Sequence, residues 1–374
     1  MRKFIAVVCA MAITLCAGGC SGGSIYSNYR SISDLMVVQT MGFDLADEGV
    51  LLSVSSEGGA QPPVRLKSSG RSLTEAQETL QGFSGGALLF FGHTSYIAIG
   101  QGILDSNVTR FFDCIERDAA FRLCIPVFAV SDGSAEALVM GAGSDEHDAT
   151  QLFHALEQHM RLRGDMHVFS AAEIASALDQ NGAALMCAVK AANAAAVDPA
   201  APEGALAIVP DGYIIINKER AVGHVPMELA RGVSIIENMM GAVPVVVGSA
   251  TVQTDDTSCE ISPVFGDNGK LTGLKFDARL SVSLAEAEGE FDVKELARKL
   301  EDMARGWIED VLALSVATGC DFLHLGSELE MRHPVALRGA AEHFALVMPN
   351  LSFDVRVTAD LGRSFHLDLT EGGK

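Results

Sequence analysis

Apolar residues recur along this chain with two alternating periods, two for strands and about 3.6 for helices, and the first half mixes both. Residues 36–43 and 50–56 predict a strand pair joined by the turn-rich stretch 44–49. Ser72-Leu-Thr-Glu75 is a capping box, in which the serine hydroxyl meets an orphan amide of the first turn and the glutamate reaches back, so a helix runs from there to about Leu80. Residues 87–91 and 96–99 predict strands, 107–116 a helix and 123–130 a buried strand. Helices follow at 134–140, 149–160 and 171–179, then a strand at 184–189.

The stretch 194–204 carries two prolines and many small residues with neither period, and it predicts a linker. Beyond it, 213–217 and 221–225 make a hairpin, and Pro226 opens a helix where proline is best tolerated. Residues 243–247 are apolar throughout, and 271–284 alternate as a long strand with one wet face, entered through the turn-forming Asp267-Asn-Gly-Lys270. Asp292 and Glu295 cap a long helix bearing Leu296, Leu300, Met303, Trp307, Val311 and Leu314, which Gly319 ends. Strands at 351–359 and 365–369 close the chain. The expected fold is multidomain α+β: a mixed α/β region at 33–193, in one or two subdomains, and a C-terminal α+β domain at 205–374 whose antiparallel sheet packs on the long helix.

The first twenty residues, MRKFIAVVCAMAITLCAGGC, do not belong to either domain. Arg2 and Lys3 precede an apolar run from Phe4 to Leu15, then Ala17-Gly18-Gly19 and Cys20, the order of a bacterial lipoprotein signal over 1–19. A dozen apolar residues fall short of the roughly 20 a membrane-crossing helix needs. Cys20 is therefore the expected site of lipid attachment, and two acyl chains hold where one is marginal. Ala17 stands where leucine is commoner, and Cys16 is a poorer candidate because Leu15 precedes it. An ordinary secretory signal cleaved nearby is the alternative. Residues 20–32, including Ser21-Gly22-Gly23-Ser24, form the tether.

Charge sharpens the role of that anchor. With 374 residues, a formal net charge of -21 and a sequence pI of about 4.8, the chain is unsuited to nucleic acid, whose binding depends on Lys and Arg displacing counterions. Anionic headgroups repel the same acidic body, so the lipid must supply the hold on a membrane. Of 8 cysteines, Cys114, Cys124, Cys187, Cys259 and Cys320 lie beyond the signal and lipidated position, none in C-x-x-C spacing.

Candidate chemistry is sparse. Gly82-Phe-Ser84-Gly-Gly86 fits the G-x-S-x-G string, but a nucleophile elbow needs a strand entering and a helix leaving, the reverse of the predicted order. His154 and His159 are five apart, off the i, i+4 step of two ligands on one helix face, and His147 lies in an acidic stretch with Asp145, Glu146 and Asp148. His93 and His224 each follow a glycine at a strand end or turn. No phosphate-binding glycine string is present. Neither catalytic residue, metal site nor cofactor is expected.

The chain resembles the Ger(x)C family, the lipoprotein C subunits of spore germinant receptors. The resemblance is carried by Ile32-Ser-Asp-Leu35 with Met41-Gly-Phe-Asp44, by Gly92-His93 and Ile99-Gly100, and by Arg117-Asp118 with Arg122-Leu123. Further on it is carried by Val222-Gly223-His224-Val225 through Arg231-Gly232, and most specifically by Cys320-Asp-Phe-Leu-His-Leu-Gly326 with Pro334 and Pro349-Asn350. Family members often have Trp-Asp after the lipidated cysteine, where this chain has Ser21-Gly22, and position 224 is His where Trp is usual. The resemblance implies a non-enzymatic subunit anchored through Cys20 at the outer surface of the spore inner membrane, assembled with integral-membrane A and B subunits. A solute-binding lipoprotein of a transporter is the alternative of a different class.

Overall fold

A computed structural model describes residues 34–56, 64–106, 108–141, 149–196, 205–287 and 292–362. The signal, Cys20, the tether, His147 with its acidic neighbours and the expected strand at 365–369 lie outside the described residues. The described residues build two sheets.

The first part contributes β1 (Leu35–Ala46), β2 (Gly49–Ser56), β3 (Arg65–Gly70), α1 (Leu73–Gly82), β4 (Leu88–Phe90), β5 (Tyr96–Ile99), α2 (Gln101–Leu104), α3 (Val108–Arg117) and β6 (Val127–Asp132). It continues with α4 (Ala135–Gly141), α5 (Ala149–Arg163), α6 (Ala171–Asn181), β7 (Ala183–Asn193), β8 (Leu206–Asn217) and β9 (Ala221–Val225). Their strands form one nine-stranded sheet in the order β3-β2-β1-β5-β6-β7-β8-β9, with β4 beside the start of β1. β1, β5, β6 and β7 run parallel, whereas β2, β3, β8 and β9 pair antiparallel at the flanks.

Parallel central strands are covered on both faces, so their apolar runs are continuous rather than alternating. Here Tyr96, Ala98, Phe128 and Val130 point into one core, while Ile97, Ile99, Val127 and Ala129 point into the other. The second core lies under α1, α3 and α6. The first passes beneath α4 and α5 and continues into the second sheet.

That sheet follows α7 (Met227–Ile236) and contains β10 (Pro244–Val247), β11 (Ala250–Phe265) and β12 (Leu271–Ala287); α8 (Val293–Thr318), α9 (Leu325–Arg332) and α10 (Ala340–Val347) then lead to β13 (Ser352–Gly362). α8 covers the sheet with Leu296, Leu300, Ala304, Ile308, Val311 and Leu312, at helical steps of three and four. Met303 is more than one-third exposed, so the buried stripe is turned slightly from the one the sequence pattern suggested. Gly232 of α7 lets the two helices approach: a Cβ there would stand 2.3 Å from the Trp307 carbonyl oxygen. Gly319 ends α8 in the left-handed conformation expected of a C-terminal glycine.

Two expectations are corrected. The linker at 194–204 does not separate the sheets, because the strands on either side of it pair from Ala183↔Asn217 to Asn193↔Leu206 and belong to the same nine-stranded sheet. The C-terminal sheet is antiparallel only through β12; β13 joins β12 in parallel, since the chain has crossed over through α8, α9 and α10 before returning.

Candidate functional site

Two aspartates among the residues that carry the family resemblance hold helix starts in place. Asp44, at the end of β1, accepts the amides of Ala135 at 2.9 Å and Glu136 at 2.7 Å, so its carboxylate caps the start of α4 from 91 residues away in sequence. Burial raises its pKa, and the two backbone donors partly oppose that shift. Gly100 leaves room for this carboxylate, because a Cβ there would fall 1.8 Å from Asp44 Oδ1. Gly42 likewise faces Ser53 and α4 at distances no side chain would permit.

The segment 320–326 repeats the device. Asp321 is fully buried and accepts the amides of Leu325 at 2.9 Å and Gly326 at 2.8 Å, capping α9 across a turn in which His324 takes positive φ. Burial pushes the Asp321 carboxyl up to about 6 and lowers the His324 imidazole. Glu237 at the end of α7 is pushed up to about 8 by burial and by the nearby Glu328 and Asp321 carboxylates. His324 Nε2 is buried without a hydrogen-bond partner.

Ser84 lies between a helix and a strand, the order opposite to an elbow. Its hydroxyl lies within donating distance of the carbonyl oxygens of Gln81, at 2.8 Å, and Ala87, at 2.5 Å, which share its one hydrogen, and Gln81 Nε2 donates to it at 2.9 Å. It closes a turn that Gly85 and Gly86 complete with positive φ. His154 stands 3.1 Å from the Tyr96 hydroxyl, which donates to Glu157 at 2.8 Å, while Arg161 braces the other oxygen of Glu157. His93 packs against the Phe90 ring. Among the described residues, no three His, Cys, Asp or Glu side chains are placed to hold a metal ion, and all five described cysteines are free thiols.

Another polar cluster includes His224, the one member the sequence pattern singled out. At the end of β6, Ser131 Oγ donates to Asp211 Oδ2 at 2.7 Å; Lys190 Nζ donates to Asp211 Oδ1 at 2.6 Å; and His224 Nε2 lies 2.5 Å from the Asp211 carbonyl oxygen. Asp211 reaches these partners from a bulge in β8, where Gly212 takes positive φ beneath the Val225 carbonyl. Burial would raise the Asp211 carboxyl, but the hydrogen bonds from Lys190 and Ser131 outweigh it and hold the pKa low. Asp211 in turn raises the Lys190 ammonium. A groove of about 410 Å³ opens here, lined by Gln101, Leu104, Ser131, Asp211, Ile214 and His224. His224 contacts Asp211 while Ser131 is engaged by the same carboxylate, so the set lacks the serine-to-imidazole bond of a nucleophilic triad. It is a charge-matched clamp, suited to holding a polar group or the sheet edge itself. Besides His224, the sequence signal was Pro210-Asp-Gly212, turn residues inside a strand.

Residues 28–191 match the family described as the spore germination protein N-terminal domain. The crystal structure of the GerBC protein has a similar fold, with a TM-score of 0.56 over 86% of this chain and 97% of that one, at 14% sequence identity. No curated protein matches the chain.

Proposed function

We propose that this chain, a spore germination protein with a GerAC-like N-terminal domain, serves as the lipid-anchored, non-enzymatic subunit of a spore germinant receptor and works beside integral-membrane A and B subunits. The observation that carries the reading is an order along the sequence: a lipoprotein-type signal ends at Cys20, and the germination domain begins at residue 28. Among the described residues no helix is long and apolar enough to cross a membrane; in this reading a lipid on Cys20 supplies the attachment. The described candidates for chemistry support a binding or coupling role, since Ser84 closes a turn and Asp44 and Asp321 cap helices. A solute-binding lipoprotein fits less well, because such folds are mostly βαβ units in two lobes, whereas here one mixed sheet continues through β8 and β9 and the second is largely antiparallel.

The test is Cys20→Ala in sporulating cells, with the protein level checked by blotting. The expected result is loss of the chain from the spore membrane fraction and a strong slowing of nutrient-triggered germination. Normal germination with the unanchored protein present at parental levels refutes the anchoring role.

A further inference from the structure

One stretch of this acidic chain carries no formal charge. Between Glu78 and Asp105, residues 79–104 contain no Asp, Glu, Lys or Arg, although about one residue in five of the whole protein is charged. Part of the stretch is core strand, but its loop and short strand turn apolar side chains outward. Phe83 is 64% exposed, and Leu88 and Phe90 are each 37% exposed, with Gly82 before them and Gly85 and Gly86 between them also exposed. In β4 only the outward face departs from the expected pattern: Leu89 points inward, while the outward positions on either side of it are apolar instead of polar.

The location of this surface matters more than its size. β4 pairs in parallel with the first residues of β1, with Leu35 opposite Leu88 and Val37 opposite Phe90. Register partners share a face, so half-buried Leu35 and Val37 extend the patch. β1 is also where the chain arrives from Cys20, and only fourteen residues, 21–34, separate that cysteine from Leu35. Fourteen residues reach at most about 50 Å. Among the described strands β4 has no second neighbour, and the loop is held in shape by Gln81, whose side chain bonds Ala87 and Leu89. Arg122 stands beside it, donating to the Thr94 carbonyl at 3.1 Å.

The geometry points to a lipid surface as the occupant: Phe83, Leu88 and Phe90 dip into the bilayer interface next to the acylated end and fix how the body stands on the membrane. The placement rests on the reading of Cys20 as the lipidated residue. Absence of charge suits it, since the bulk of the protein, at -21, is repelled by anionic headgroups and only an uncharged apron can approach them closely. Anchor and patch act together, because a second apolar contact turns a single flexible attachment into an oriented one.

The test uses the full acylated protein bound to neutral phosphatidylcholine vesicles, with acylation of Cys20 read by mass. Phe83→Trp is compared with the parent chain, whose one tryptophan is Trp307, and with Leu162→Trp, an exposed position on α5. Lipids brominated on the acyl chains are expected to quench the fluorescence added at residue 83 and to leave that added at residue 162 unchanged. Equal quenching at both positions, or none at 83, overturns the proposal, whether residues 21–33 or a protein partner then covers the patch. The unacylated Cys20→Ala chain is measured at higher lipid, where Phe83→Ser combined with Leu88→Ser and Phe90→Ser is expected to lower partitioning about tenfold or more. An unmodified Cys20 refutes the anchoring reading alone; unchanged partitioning of the triple variant refutes the patch alone.

Discussion

Asp44 and Gly100 lie 56 residues apart and make one device, so their substitutions should not add. Asp44→Ala removes the acceptor for two amides at the start of α4, at Ala135 and Glu136. Losing hydrogen bonds to a charged group and leaving buried donors unpaired costs on the order of 3 kcal/mol. Gly100→Ala places a methyl 1.8 Å from Asp44 Oδ1 and 2.9 Å from its Cγ, so the carboxylate must swing away and the cap is lost by another route. The cost is again about 3 kcal/mol by the same reasoning. In the double variant the carboxylate is absent and the nearest remaining neighbour of the new methyl is the Phe43 carbonyl oxygen at 3.3 Å, a contact a small shift relieves. The double variant should therefore resemble either single one, with a coupling of about 2–3 kcal/mol. Urea unfolding of the four proteins, followed by circular dichroism, measures it. Effects that sum to within about 0.5 kcal/mol refute the shared cap.

Three further outcomes follow from the same structure. Glu237 has its pKa raised to about 8, so the stability it contributes is full below its unfolded value near 4.5 and is lost as pH rises through 8; Glu237→Gln should flatten that fall and stabilise the protein by about 2–4 kcal/mol at pH 8, and parallel melting curves for variant and parent from pH 5 to 8 would contradict it. Asp321→Asn keeps one acceptor for the Leu325 and Gly326 amides and loses the other, with an expected cost of about 1–2 kcal/mol in urea unfolding; a cost no greater than that of Asp310→Asn, at an exposed position in the interior of α8, would show that the cap contributes nothing. Ser84→Ala should cost about 1 kcal/mol and leave nutrient germination at its parental rate, so a germination defect at normal protein level would return Ser84 to the list of functional residues.

Strong local patterns made most of the N-terminal elements legible. The strands 36–43 and 50–56, the helices at 107–116 and 171–179 and the long capped helix are present with ends shifted by a few residues. β11 had no comparable signal, because its inward positions include Thr254 and Thr257 and so lack a clean apolar alternation. β3, with two serines, an arginine and a lysine among its six residues, is a short edge strand whose pairing is set by β2. The reciprocal half of the Ser72 capping box also went elsewhere: Glu75 accepts the Arg71 amide at 2.9 Å, and the complete box is Ser170 with Glu173. The parallel pairing of β13 was invisible because strand direction depends on the path of the intervening helices. The joining of Ser131, Lys190 and Asp211 to His224 was equally hidden, since these residues come from four strands spread over 93 residues. The motif aspartates could be singled out from the sequence, but their work as caps required three-dimensional partners.

The parallel return of β13 also governs when the second sheet can be finished. β12 is complete at residue 287, yet its partner begins at 352, so throughout synthesis of the intervening helices one edge of β12 stays open. An open strand edge in a growing chain recruits other edges. The nascent protein is thus most exposed to aggregation and proteolysis during that interval, and a ribosome stalled in α9 or α10 would release a body with its first sheet formed and its second still able to pair with a stranger.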